Sequence, residues 1–264
     1  MMDMNKVLAL FDQEQRINIE YPGVRKERRP HVIRYVSETG GPHFILYSDL
    51  TGADIGAVIA EEQAYFEPLG KVEWKVFGHD QPADLPHLLA AHGFQVADEP
   101  DAVMVMDLDE QGPLLGFEPE GDVSVRRLEE PAQLKDLIEI EETIWGEMPW
   151  LFDLLGSHMS VPGYLSAHIV TVAGQPACAG WMNFHANGIF ADLWGGSTLA
   201  EHRGKGLYTA LLATRAQEAA ERGYRFLIVD AGPMSRPILA RRGFRLLTTA
   251  RECKWGQEVS APAT

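Results

Sequence analysis

The stretch Gly195-Gly196-Ser197-Thr198-Leu199, running on through Ala200-Glu201-His202 into Arg203-Gly204-Lys205-Gly206-Leu207-Tyr208, decides how this chain is read. A strand candidate enters a basic, glycine-punctuated turn, and a long alanine- and leucine-rich helix follows directly. That order makes an anion site. Free backbone N–H groups collect at a helix start, and the helix dipole adds partial positive charge there. Glycines let the main chain approach a phosphate oxygen with no Cβ in the way. The C-terminal half is therefore expected to hold a phosphorylated cofactor, and the chain to be an enzyme.

Two familiar phosphate loops do not fit. A Walker loop requires Ser or Thr after Gly-Lys and a glycine five residues earlier. Here Gly206 follows Lys205, and Leu199 stands five before Gly204. A dinucleotide fingerprint requires Gly-x-Gly-x-x-Gly, and Thr209 occupies its last position. The pattern Arg/Gln-x-x-Gly-x-Gly/Ala fits Arg203-Gly204-Lys205-Gly206-Leu207-Tyr208 except that Tyr208 replaces the final small residue. At these residues the chain resembles the GNAT superfamily of acyl-CoA-dependent N-acetyltransferases. The resemblance continues through the strand Arg225 to Asp230, a short helix from Met234 to Arg242 and Gly243-Phe244, and covers roughly residues 123–256. It implies that acetyl-CoA is the cofactor and that Arg203, Gly204, Lys205, Gly206, Leu207 and Tyr208 hold its pyrophosphate. It also implies that backbone groups near Thr198 and Leu199 bind the pantetheine arm. The plain alternative, a glycine-rich turn with two solvated cations, leaves the ordered neighbours unexplained.

Composition sets the outer bounds. The 264 residues allow one large or two ordinary domains. The two cysteines, Cys178 and Cys253, give neither a zinc spacing nor a disulfide framework. No metal site is expected, and a reducing cytoplasm is the default location. Met1 to Asp12 lacks the pattern of a signal peptide, and no apolar run approaches a membrane span. The net charge of −15 is uneven: residues 1–120 hold 22 of the 38 acidic residues but only 9 of the 23 basic ones. That argues against nucleic acid as a partner. It suits a cationic amine drawn in by the field, and equally simple solubility.

The chain repeats a plan. Leu88-Leu89-Ala90-Ala91-His92-Gly93-Phe94 parallels Ile238-Leu239-Ala240-Arg241-Arg242-Gly243-Phe244. Strands are expected at His43–Tyr47, Val72–Phe77 and Ala102–Leu108, with a helix over Asp54–Phe66 capped by Asp54 or Thr51. In the second half, strands are expected at Val123–Arg126, His168–Val172, Ala177–Phe184 and Ile189–Leu199, with a helix over Pro131–Trp145. The fold class is thus α/β (α+β): two GNAT-like mixed-sheet domains in tandem, each a mostly antiparallel sheet flanked by helices. The expected boundaries are 1–115 for a degenerate domain without a cofactor loop and 122–258 for the acetyltransferase domain. The first half reads Ser48-Asp49-Leu50-Thr51-Gly52-Ala53 where the second has its glycine loop, and acids there compete with a phosphate for the same amides. A tandem pair can imitate a dimer, so both monomer and homodimer are open.

Transfer of an acetyl group to a primary amine of a small molecule or peptide needs a base for the ammonium. Asp192, upstream of the loop, and Asp230, ending the next strand, are the candidates, with His185 a weaker third. A structural salt bridge is the competing role for each. The resemblance places a tyrosine four residues before the Gly of Gly-Phe as the usual acid, but Leu239 stands there. Tyr208 is the substitute candidate, after its role in the loop. Loss of that tyrosine keeps open a non-catalytic acyl-CoA-binding or sensor module.

Overall fold

The computed structural model describes residues 2–38, 40–110, 114, 117 and 121–256. The first half runs α1 (Met4–Phe11), one π-helical turn (Asp12–Ile17), β1 (Val24–Arg28), β2 (Val32–Ser37), β3 (His43–Ser48), α2 (Ile55–Phe66), β4 (Val72–Phe77), α3 (Leu85–Ala91), β5 (Gln95–Val96) and β6 (Asp101–Asp107). It is followed by β7 (Val123–Leu128), α4 (Leu134–Trp145), α5 (Leu151–Met159), β8 (Leu165–Val172), β9 (Gln175–Phe184), β10 (Phe190–Thr198), α6 (Leu207–Glu221), β11 (Phe226–Ala231), α7 (Arg236–Arg241) and β12 (Arg245–Trp255). The expected linker, Asp109 to Asp122, lies mostly outside the described residues.

These elements form two compact units that are not contiguous in the chain. One gathers Asp3–Val103 with the end of the chain from Leu246 onward; the other spans Met104–Arg245. The stretches 1–115 and 122–258 expected from the sequence are contiguous, whereas the first unit also takes in residues from Leu246. In the first unit the strand order is β1-β2-β3-β4-β12, with β5 also on β12. Every pair there is antiparallel except β3 with β4. In the second unit the order is β7-β8-β9-β10-β11-β6. Its first four strands are antiparallel and β11 lies parallel to β10. In each unit the strands are mixed in direction and largely antiparallel, with helices packed on them.

Side-chain alternation assigns the two faces of the strands of the second unit. Ala167, Ile169, Ala179 and Trp181 pack with Leu134, Leu137 and Ile140 of α4 and with Leu151 and Leu155 of α5. Val170 and Cys178 pack instead against Leu207 and Leu211 of α6. The first unit has a core of its own around Trp74, Phe66, Ile59 and Leu89. Asp54 caps α2 as expected, its side chain accepting the Ala57 amide at 3.1 Å. The helix α5 falls in the aromatic stretch after Gly146, where the sequence was read only as apolar, and α1 lies in a segment with no expected element.

Candidate active site

β10 and β11 are in register over only three pairs, Phe190 with Phe226, Ala191 with Leu227 and Asp192 with Ile228. Beyond Asp192 the edge of β10 toward β11 is unpaired. The reason lies in β10 itself. Its register against β9 slips between Gly195 and Ser197, so Gly196 is a bulge residue. Gly195 and Gly196 have φ of +62° and +91°, which a side chain would strain. Space forbids one as well: a Cβ on Gly195 would stand 2.7 Å from Glu141 Oε1, and one on Gly196 2.7 Å from Tyr208 Cε2.

The loop after β10 presents unbonded amides beside exposed cations. Gly206 sits in the left-handed region (φ +80°) at the start of α6, and no side chain caps that helix. The first main-chain bond into α6 runs from the Ala210 amide to the Gly206 carbonyl. Among the described residues, the amides of Gly204 to Thr209 have no main-chain or capping acceptor. Arg203 and Lys205 are exposed beside them. Arg203 Nε donates to the Thr198 carbonyl at 3.0 Å, tying the loop back to its strand. The Phe117 ring walls one side of Gly206, under Arg242. A diphosphate fits this cradle on three counts: free amides, exposed cations, and open space around Gly204 where a Cβ would meet nothing within 4 Å.

The two expected contacts to a pantetheine arm differ. Leu199 has its amide bonded to the Ala177 carbonyl and its carbonyl bonded to the His202 amide. Its amide and carbonyl thus each have a main-chain partner. A bonded Leu199–Ala177 pair makes Thr198–Cys178 the next, non-bonded pair of the ladder, so the Thr198 amide faces the open edge, while its carbonyl is taken by Arg203. The Thr198 hydroxyl donates to Cys178 Sγ at 3.2 Å. Burial pushes the Cys178 thiol up to about 11, and both cysteines are free and buried, as inert thiols should be.

Asp192 is 7% exposed and its Oδ2 lies 2.8 Å from His185 Nε2. Its other oxygen, Oδ1, has no hydrogen-bond partner among the described residues, nor does Oδ1 of Asn183, its register neighbour on β9. Tyr164 stacks edge-on against His185 at 5.3 Å, its hydroxyl also without a partner. Burial raises that phenol well above its ordinary range. By alternation from Trp181, all of these stand on the face covered by α4 and α5. Asp230, by contrast, is exposed on β11. Tyr208 packs on the other face, beneath Gly196, and burial raises its hydroxyl pKa. The structure thus brings Asp192 and His185 together, leaves Tyr208 on the other face, and places Asp230 exposed on the neighbouring strand, two residues beyond the partner of Asp192.

Three side chains were missed. Glu141 was read only within the periodicity of α4, yet it is 3% exposed, bonded to Ser197, and pushed up to about 7 by burial. Arg215 of α6 is 1% exposed and donates to the carbonyls of Trp181 and Trp194. Asn183 completes the Asp192 cluster. The signal was available for the first two: each places a charge on the apolar stripe of its helix, seven after Leu134 and four after Leu211. Leu239, where the family's tyrosine was expected, is fully buried in the core.

Comparison with known proteins agrees with this geometry at the level of fold. No sequence-family model matches the chain, and no curated protein matches it. Among solved structures, a GCN5-related N-acetyltransferase from Kribbella flavida aligns over 98% of this chain and 97% of its own, at 15% identity and a TM-score of 0.66. A functionally unknown conserved protein from Staphylococcus epidermidis aligns over 91% and 98%, at 11% identity and a TM-score of 0.64. A tandem GNAT protein from the clavulanic acid biosynthesis pathway aligns over 99% and 90%, at 16% identity and a TM-score of 0.62. The fold is the GNAT fold. Within it, the parted β10 and β11 and the glycine loop occupy the second unit. Among the described residues no helix is long and apolar enough to cross a membrane, and no group of side chains is arranged to hold a metal ion.

Proposed function

We infer that the chain is an acetyl-CoA-dependent N-acetyltransferase, moving an acetyl group to a primary amine of a small molecule or peptide. One observation carries this reading: β10 leaves β11 after Asp192 and runs, open-edged, into uncapped amides between two exposed cations. Bound acetyl-CoA would supply the activated thioester. Gly204 to Tyr208 would hold its diphosphate by main-chain amides, and Thr198 would offer its open edge to the arm. Asp192 is the base in this account, orienting His185 and using Oδ1 with Asn183 to receive the ammonium. Asp230 is too exposed to be matched to that task and is assigned to acceptor entry. With Leu239 in the place of the tyrosine, no phenol is assigned to the leaving thiol. Its pKa of about 8.5 makes a free thiolate tolerable near neutrality.

The first unit is, in this account, a degenerate copy of the same plan. It too has a parallel pair followed by a helix, β3-α2-β4, but its turn is acidic. The test is release of free thiol from acetyl-CoA with a panel of amines, beside calorimetric titration of coenzyme A. Saturable binding with amine-dependent thiol release supports the reading. Binding without turnover would make the protein an acyl-CoA-binding module, and no binding would remove the basis for both.

A further inference from the structure

A carboxyl group for which acyl transfer has no assigned use sits under the bulge of β10. Glu141 Oε2 accepts the Ser197 hydroxyl at 2.9 Å, and the Ser197 amide donates to the same carboxyl. Trp145, one turn along α4, donates Nε1–H to Ser197 Oγ at 2.9 Å. α4 therefore grips Ser197 at two points, and Ser197 is the residue at which β10 regains its register. From the opposite face, Arg215 takes the carbonyls of Trp181 and Trp194, which face each other on the other side of the slip. Glycine makes this double grip possible. A Cβ on Gly195 would collide with Glu141 Oε1, and one on Gly180 would stand 3.0 Å from Arg215 Nη1 and 2.8 Å from the Gly196 nitrogen. Glu141 Oε1 remains without a hydrogen-bond partner. An apolar side chain would fill the same core site without that loss, so selection for stability alone does not explain the acid.

We propose that Glu141 is a positioning residue: by holding Ser197 it fixes the bulge at Gly195–Gly196, and so the course of the open β10 edge along which a thioester must lie. This rests on the acyl-transfer reading only for its effect on turnover. Glutamine keeps a side-chain oxygen to accept from Ser197, whereas leucine keeps the bulk and loses both bonds. The two variants therefore separate holding from filling.

The experiment uses the full chain and three readouts: amide hydrogen exchange at Gly195–Thr198 in the free protein, calorimetric affinity for coenzyme A, and thiol release with acetyl-CoA and an amine. Glu141→Leu is expected to speed exchange at Gly196 and Ser197 more than tenfold. Coenzyme A affinity should stay within about threefold, because the diphosphate cradle is separate, while kcat falls at least 30-fold. Glu141→Gln should recover both exchange and kcat to within fivefold of the parent. Unchanged exchange in the leucine variant, or a glutamine variant no better than leucine, overturns the proposal. If Glu141→Leu does not fold, Ser197→Ala removes both bonds made through the Ser197 hydroxyl and Trp145→Phe removes one of them, and unaltered exchange at Gly196 in both is the overturning result. If the parent shows no turnover with any amine, the acyl-transfer reading fails, while exchange in the free protein still decides the role of Glu141.

Discussion

The connections β3–α2 and β10–α6 are built on one plan and carry opposite chemistry. Each follows a strand that pairs in parallel with its neighbour over three residues, His43 to Ile45 with Val72 to Trp74 in one and Phe190 to Asp192 with Phe226 to Ile228 in the other. Each leads into a helix. At α2 acids take amides: Asp49 accepts the Thr51 amide at 3.1 Å, and Asp54 accepts that of Ala57. At α6 the same positions carry Gly204 and Gly206, no capping side chain, and two exposed cations. The lesson is that the topology supplies a helix start, and only the residues at that start decide whether it stabilises the protein or binds an anion.

The largest effect that would sharpen this contrast is chemical. Asp192→Asn is expected to lower kcat by about 10²–10⁴-fold, the usual worth of a positioned base, with coenzyme A affinity unchanged. Asp230→Asn should cost less than about threefold in the same thiol-release assay. Equal losses in the two would move the base off β10.

Reversing charge at the loop comes next. Coenzyme A at 100 times its Kd should stabilise the parent by about 2.7 kcal/mol, read as a rise of several degrees in Tm. The Arg203→Glu, Gly206→Glu double variant should show no rise. Asp49→Asn with Asp54→Asn at the other helix start should leave the rise intact.

The buried acid of α4 gives stability a pH dependence of its own. Glu141 titrates near 7 in the folded state, raised by burial from about 4.5. The native state thus keeps a proton that the unfolded chain releases, so this group lowers stability as pH climbs from about 4.5 to about 7. Glu141→Gln removes that loss. Its stability relative to the parent should improve by roughly 3 kcal/mol between pH 5 and pH 8, measured by urea unfolding. A difference independent of pH would mean the carboxyl is ionised throughout.

The smallest effect lies at the capped helix. Asp54→Ala should cost about 1 kcal/mol in urea unfolding and nothing in coenzyme A binding. A loss of binding would mean that the acidic turn contributes to the ligand site after all.

Much of this was legible in the sequence because it is local. The alternation of Val72 to Phe77, the cap at Asp54 and the glycines of the loop each act within a few residues, and the elements form where those patterns place them. What was not legible depends on pairing across the chain. Nothing in Arg245 to Trp255 says that this strand will lie on β4 of the first unit. The same holds for the bulge: Gly195-Gly196 reads as part of a turn until β9 provides Gly180 opposite and α4 provides Glu141 beneath. Asp192 stands out from its strand position, but its pairing with His185 arises only when the hairpin end folds back beside it.

The central claim, that the amides at the start of α6 are the anion grip and those at α2 are not, is tested most directly by nitrogen-resolved NMR of the full chain titrated with coenzyme A. The account predicts that the amide resonances of Gly204, Gly206, Leu207, Tyr208 and Thr209 move together and saturate, while those of Gly52 to Ala57 stay in place. Stationary α6 amides, or movement at α2 instead, would contradict it.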